Sequence, residues 1–165
     1  MSATGRIGVI SGSDSNAAQA AIAASVAVWR AAGAKVAGVL PEEHGLQGRS
    51  CGAGYLRDIA SGERFAIYRD VPAEGSACHI DAEGVEAACS AILGHIAASD
   101  LVVLNKFGKL EATRQGLWRA LEAAVAAGKP LLLTLSAKHV EAFRVLAPDA
   151  LYLEPDPAML DRWWR

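Results

Sequence analysis

The sequence predicts a single α/β domain, with a mostly parallel sheet covered by helices on both faces. Three observations support this fold class. Short apolar runs alternate along the chain with longer segments of helical character. About half of the residues are apolar, but many are alanine and few are aromatic, which favours alanine-rich helices over an all-β core. The length of 165 residues suits one domain with a sizeable core.

The first unit of the chain reads strand, helix, strand. Residues 6–10 form an apolar run, and a long alanine-rich segment follows it, with Gly33 as the expected helix C-cap. A second apolar run covers residues 35–40 and is expected to stop at Pro41. This is a βαβ unit, whose crossover is right-handed if its strands are parallel.

An insertion of about residues 42–80 interrupts the alternation. Residues 42–54 and 70–77 are polar or glycine-rich and read as loops. Between them, residues 55–59 and 64–68 are β-prone and flank a turn-prone segment. The insertion therefore carries a predicted β-hairpin, and residues 1–165 remain one domain.

From Asp81 onward, strands and helices alternate again to the end of the chain. Asp81 is the expected cap of a helix that runs to about residue 98, and Pro157 can open a terminal helix at its first position. The other predicted elements are a strand at 100–104, a helix at 111–127 closed by Gly128, a strand at 130–135, a helix at 137–146 and a short strand at 150–153.

Charge and targeting signals limit the partners. The net charge of −2 provides no general positive field, which argues against nucleic acid as the main partner. The N-terminus has no cationic leader, and no apolar stretch reaches the roughly 20 residues of a membrane span. Three cysteines without framework spacing suit a reducing compartment, so a cytoplasmic protein with no membrane partner is predicted.

The loop after the first strand occupies the place of a phosphate loop. That pattern requires Gly, four residues and then Gly-Lys-Ser/Thr, but this chain has Ala17, Ala18 and Gln19 in the last three positions. The lysine and the hydroxyl are absent, whereas the positive end of a helix remains. The candidate ligand-binding residues here are Gly12, Ser13, Asp14, Ser15 and Asn16. Ordinary helix capping explains the same residues equally well.

A second candidate loop, residues 105–111, follows the strand at 100–104. A nucleoside-triphosphatase would carry Asp-Glu at its start to organise Mg²⁺ and water, and this chain has Asn105 and Lys106. Lys106, Lys109 and Arg114 bring three cations near a strand end, where they could receive an oxyanion or phosphate. Solvated surface cations are the alternative reading.

Several segments together resemble the cancer-related nucleoside-triphosphatase family, a compact P-loop fold with an inserted hairpin. They are residues 36–40, 56–63, 100–111 and 128–135. The resemblance implies a P-loop NTPase-like fold for nearly the whole chain. The residues that make those relatives hydrolases differ here at Ala18, Gln19, Asn105 and Lys106, which argues against efficient hydrolysis.

The chain is even more similar to an uncharacterised bacterial family, a domain of unknown function often encoded beside molybdate-transport genes. The similarity rests on Asn-Lys-Phe-Gly-Lys-x-Glu at 105–111, on Cys51 before Leu-Arg-Asp-Ile at 56–59, and on Cys78 before His79-Ile80-Asp81. Cys51, Cys78 and His79 are also weak metal-site candidates, with free thiols the simpler expectation. Cys89 reads as a core residue.

Three functional hypotheses follow. The leading one is a non-hydrolytic protein that binds a nucleotide, phosphate or similar oxyanion, and the resemblance adds a link to molybdenum metabolism. A weak triphosphatase using Lys106 or Lys109 is the first alternative. The second is a protein-interaction module with a vestigial site, for which Trp163 and Trp164 offer a contact surface. Trp118 and the alanine-rich helices would suit a homodimer. The sequence identifies no cofactor.

Overall fold

A computed structural model describes residues 6–12, 15–43, 53–68 and 80–165. Within these ranges seven strands form one sheet in the order β4-β3-β2-β5-β6-β1-β7. Strands β2, β5, β6, β1 and β7 are parallel, whereas β3 and β4 join antiparallel at one edge. The strands are β1 Ile7–Ser11, β2 Val36–Glu43, β3 Ala53–Asp58, β4 Arg64–Ala66, β5 Leu101–Phe107, β6 Leu131–Leu135 and β7 Leu151–Tyr152.

Helices cover both faces of this sheet, which confirms the predicted α/β class. They are α1 Ser15–Ala31, α2 Ala82–Ile96, α3 Lys109–Ala112, α4 Trp118–Ala126, α5 Val140–Leu146 and α6 Pro157–Trp164, with a 3₁₀ turn at Ala137–His139. Apolar residues of α1 and α6 pack on one face, and those of α2, α4 and α5 pack on the other. In the described ranges, no helix is both long and apolar enough to cross a bilayer.

The predicted capping signals are found at two helices. The Asp81 carboxylate accepts a hydrogen bond from the Glu83 N–H at 3.0 Å, at the start of α2. Asp156 accepts one from Ala158 at 3.2 Å, and Pro157 stands in the first turn of α6 as expected. Cys89 is fully buried in α2, and burial raises the pKa of its thiol. It is therefore the core residue that its alanine-rich context predicts.

Strand β2 continues through Pro41 instead of stopping there, so the predicted boundary was wrong. The β2–β5 pairing ends at Gly38, and from Val39 onward β3 is the one described strand that pairs with β2. Among the described strands, the missing N–H of Pro41 therefore leaves no second ladder incomplete. The hairpin is confirmed, and its strand β3 pairs directly with β2, so the insertion widens the main sheet.

The helix predicted at 111–127 is two helices. Helix α3 ends at Ala112, and the chain then turns before α4 begins at Trp118. Arg114 and Gly116 in this turn have φ of 62° and 64°, in the left-handed region that interrupts a right-handed helix. The sequence did not predict this break. Gly116 is the only helix-breaking residue between 111 and 127, and a single glycine is tolerated inside a helix.

The two C-terminal tryptophans have different environments, as their adjacent positions on a helix predict. Trp163 is buried and packs against Gly8 of β1, where a Cβ atom would lie 2.8 Å from its ring. Trp164 is half-buried, and its ring centroid lies 6.0 Å from that of Trp29. The Trp29 indole N–H also donates to Asp161 at 3.0 Å, so α6 is fixed to α1.

Candidate functional site

The two candidate loops lie at the same edge of the sheet. Strands β1 and β5 both run parallel to β6, which lies between them. Their carboxyl ends therefore face the same side of the molecule, where open α/β sheets bind ligands. We call this region the carboxyl edge; it comprises Ser11 and Gly12, the first turns of α1, and residues 105–107 and 134–136.

A reciprocal amide pair joins the two candidate loops at this edge. Gln19 Nε2 donates to Asn105 Oδ1 at 2.9 Å, and Asn105 Nδ2 donates to Gln19 Oε1 at 2.6 Å. Asn105 is 5% exposed, and Gln19 is half-buried in the second turn of α1. The pair connects α1 to β5 with two hydrogen bonds and no net charge.

The amide pair does not suit a magnesium ion. Mg²⁺ prefers carboxylate, hydroxyl and water oxygens in octahedral geometry. Here the carbonyl oxygen of each amide already accepts a hydrogen bond from the other, and the next residue, Lys106, is a cation. Gln19 and Asn105 therefore form a neutral, hydrogen-bonded pair, which we call the clasp.

The three candidate cations have different surroundings. Lys106 is exposed near the end of β5, directly after the amide pair. Lys109 is the exposed first residue of α3. The guanidinium carbon of Arg114 lies 5.6 Å from the ring centroid of Trp118, whose side chain packs in the core on the face opposite α1. Lys106 therefore directly follows Asn105 of the clasp along the chain, whereas Arg114 lies against Trp118 on the opposite face of the sheet.

Glu111 is a buried carboxylate that organises the segment after β5. It is 6% exposed, and its two oxygens accept hydrogen bonds from the N–H groups of Gly108 at 3.0 Å and Leu117 at 2.9 Å. Burial raises its pKa, while these donors and the charge of Lys106 act in the opposite direction. Glu111 therefore ties the end of β5 to the start of α4.

The turn that contains Gly116 fits closely around this carboxylate. A Cβ atom on Gly116 would lie 2.0 Å from Glu111 Oε2. The Gly116 N–H donates to Glu86 Oε1 of α2 at 2.7 Å. Two acidic side chains thus hold the 108–117 segment through its backbone, which fixes the positions of Lys109 and Arg114.

Thr134 contributes a polar atom to the carboxyl edge from the central strand β6. Its side chain is 6% exposed, and its hydroxyl has no hydrogen-bond partner among the described residues. Neither Thr134 nor Glu111 was predicted as a site residue, and the pairing of Gln19 with Asn105 was not predicted. One signal was available for Thr134, because it is the only polar residue in the strand Leu-Leu-Leu-Thr-Leu.

Several predicted site residues lie outside the described ranges. They are Ser13 and Asp14 of the first loop, and Cys51, Cys78 and His79 of the insertion. The backbone of Ser15 begins α1, and Gly12 and Asn16 are exposed at the carboxyl edge. Across the ranges that are described, no three His, Cys, Asp or Glu side chains come together as a metal-binding group.

Comparison with known proteins gives a family and one curated relative. The family described as "Protein of unknown function (DUF2478)" matches residues 7–163. The molybdenum import ATP-binding protein ModC 2 of Bradyrhizobium diazoefficiens is 31% identical to this chain over 137 residues. The match covers 81% of this chain but 15% of that protein, so this chain is similar to one segment of it. With the α/β sheet described above, these matches are consistent with a P-loop NTPase-like fold. Because the family match spans nearly the whole chain, the protein belongs to the DUF2478 family.

Proposed function

We propose that this protein binds a nucleotide, phosphate or similar oxyanion at the carboxyl edge without hydrolysing it and without Mg²⁺. The observation that carries the proposal is the clasp between Gln19 and Asn105. It occupies the two sequence positions at which a P-loop enzyme would have its metal-binding hydroxyl and acid. In this proposal the protein keeps the fold of a phosphate site, and two amides stand where the metal-binding groups would be.

Two features of the described part of this edge favour an anion over a cation. The positive end of the α1 dipole and the exposed cation of Lys106 both belong to this edge. Hydrolysis, by contrast, needs a metal or a lysine on the transferred phosphoryl group and an acid that positions water. Ala18 and Lys106 stand where the resemblance expects that lysine and the second acid.

A role in molybdenum handling is the more specific form of this proposal. The relative with 31% identity is named as a molybdenum import ATP-binding protein, and this chain matches a small part of it. Molybdate is a tetrahedral oxyanion with the shape and charge of sulfate and hydrogen phosphate. A site for such anions would connect this chain to molybdenum handling without requiring the chain to hydrolyse ATP.

A thermal-shift screen tests the binding proposal. The purified protein is heated with phosphate, sulfate, molybdate, ADP and ATP, each in the presence of EDTA. A ligand at about 100 times its Kd should stabilise the fold by about 2.7 kcal/mol. Phosphate release from ATP, measured in parallel with Mg²⁺, should not exceed the buffer rate. If no ligand raises Tm, the proposal is wrong.

The weak-triphosphatase alternative predicts a different outcome of the same assays. Lys106 and Lys109 are exposed cations on the segment that follows Asn105, so either could approach a terminal phosphate. That alternative requires magnesium-dependent phosphate release that disappears in the Lys106→Ala/Lys109→Ala double variant. Release that survives both substitutions would count against this alternative, because neither lysine would then be required.

An interaction module is favoured by a separate apolar surface. Val145 of α5 is 82% exposed, and Leu151 and Tyr152 of the edge strand β7 are 52% and 39% exposed. Open strand edges beside apolar side chains often mediate association. Sedimentation of the wild type and a Leu151→Lys variant tests this function. A concentration-dependent dimer that the variant abolishes would support it, and monomers throughout would count against a homodimer.

A further inference from the structure

The buried side chain of Thr134 lies on the face of β6 that α1 covers. In the β1–β6 ladder Thr134 is opposite Ile10, and Leu132 is its neighbour two residues earlier. Ile10 and Leu132 pack in one core cluster with Ala18, which belongs to the first turn of α1. Because side chains two residues apart in a strand share a face, the Thr134 side chain points toward α1.

Thr134 lies on the strand next to the one that carries Asn105 of the clasp. Asn105 lies on the neighbouring strand β5, just past the Leu104–Leu133 pair, and its bond to Gln19 shows that it faces α1. Thr134 and Asn105 therefore approach the same end of α1 from adjacent strands. Each amide of the clasp uses one N–H in the pair, so each retains a second hydrogen to donate.

An unpartnered buried hydroxyl is unfavourable for folding. Removing a hydroxyl from water without giving it a hydrogen bond costs free energy, so proteins rarely retain such groups in an apolar strand. A valine at this position would fill the same volume without that cost. The arrangement is explained if the hydroxyl makes its hydrogen bond to a ligand that enters between the β6 end and the α1 N-terminus.

We infer that Thr134 is a specificity-determining ligand contact, whose hydroxyl donates a hydrogen bond to one oxygen of a tetrahedral oxyanion. This inference rests on the proposed function and identifies its ligand chemistry. The anion is either free, as phosphate, sulfate or molybdate, or the terminal phosphate of a nucleotide. The positive end of α1 interacts favourably with the anion's charge, and Thr134 donates to an oxygen at the end of strand β6.

Three single variants test this inference. Thr134→Val removes the hydroxyl at nearly constant volume, and Thr134→Ser retains it. Ser25→Ala is the matched control, since Ser25 is also a buried, unpartnered hydroxyl on α1. Ser25 lies ten residues beyond Ser15, about 15 Å farther along the helix, and is therefore remote from the carboxyl edge. Each protein is titrated calorimetrically with phosphate, sulfate, molybdate and ADP.

The expected result separates ligand binding from stability. Thr134→Val should weaken binding of the preferred anion about tenfold or more, as expected for one hydrogen bond to a charged group. Its Tm without ligand should equal or exceed that of the wild type. Thr134→Ser and Ser25→Ala should bind within a factor of about three. Tighter binding of ADP than of phosphate would identify the nucleotide as the source of the anion; the reverse order would identify the free anion.

Two different failures can be told apart. If the wild type binds none of the probes, the proposed function fails and Thr134 has no ligand to contact. If the wild type binds a probe and Thr134→Val binds it equally well, the binding function stands and this inference is overturned. A large drop in the Tm of Thr134→Val without ligand would also overturn it, because the hydroxyl would then serve the fold alone.

Discussion

At the scale of single residues, the site depends on which polar groups already have partners. Gln19 and Asn105 satisfy each other, and both oxygens of Glu111 accept backbone N–H groups. Thr134 has no such partner among the described residues. These four side chains divide into three that are hydrogen-bonded within the fold and one that has no partner among the described residues. The division follows from hydrogen-bond geometry, which residue type alone does not reveal.

Replacing Asn105 with Asp should destabilise the protein. Asp lacks the amide that donates to Gln19 Oε1 at 2.6 Å, so two oxygens would face each other at a site that is 5% exposed. The loss should be about 1–3 kcal/mol at neutral pH and smaller when the new carboxyl is protonated. Urea unfolding at pH 7 and pH 4.5 measures both effects.

Asn16→Asp is the control for that change. Asn16 is exposed in the first turn of α1, where a negative charge interacts favourably with the helix dipole. The free energy of unfolding of the Asn16→Asp variant should differ from that of the wild type by less than about 0.5 kcal/mol. Equal losses in the two variants would mean that the clasp with Gln19 does not stabilise the fold.

Glu111 should make stability depend on pH. Burial raises its pKa above the ordinary value of 4.5, so the folded chain binds this proton more tightly than the unfolded chain. The stabilisation from the proton is therefore complete below about pH 4.5 and is lost as pH rises through the folded-state pKa. The Glu111→Gln variant has no titratable group at this position and therefore serves as the reference. The stability of the wild type relative to this variant should fall from pH 4.5 to pH 7, and a rising or flat difference contradicts the assignment.

At the scale of elements, the break between α3 and α4 positions the segment that follows β5. In an unbroken helix at 111–127, Arg114 would have right-handed helical dihedral angles in the first turn, and Lys109 would precede the helix. The turn instead places Arg114 against Trp118 and leaves Lys109 at the start of α3. A left-handed Arg114 could not be predicted from sequence, because arginine is a good helix former and its φ is set by packing around Glu111.

Two glycines provide a matched test of this turn. Gly116 has φ of 64°, and an added Cβ would lie 2.0 Å from Glu111 Oε2, whereas a Cβ on Gly94 in α2 would meet nothing within 4 Å. Gly116→Ala should therefore cost about 1–3 kcal/mol, and Gly94→Ala should stabilise by about 0.5–1 kcal/mol. Thermal or urea unfolding gives both values. Effects of the same sign would contradict the contacts described for the turn.

At the scale of the whole molecule, alternation of apolar runs and helical segments was sufficient to predict the architecture. The α/β class, the helices on both faces and the inserted hairpin all followed from patterns of hydrophobicity and turn residues. Strand order did not, since it depends on which strands pair across long separations. Sequence also identified the loops at the start of α1 and after β5 as candidates. It could not pair Gln19 with Asn105 or identify Thr134, because both depend on side-chain approach between distant segments.

Calorimetric titration with and without Mg²⁺ tests the proposal that the carboxyl edge holds an anion in the absence of a divalent metal. The wild type is titrated with its best oxyanion or nucleotide, once in EDTA and once in millimolar Mg²⁺. The neutral clasp of Gln19 and Asn105 predicts the same Kd, within a factor of about two, in both buffers. Binding that appears only with Mg²⁺ would contradict the account, because the edge would then hold the metal that the clasp is proposed to replace.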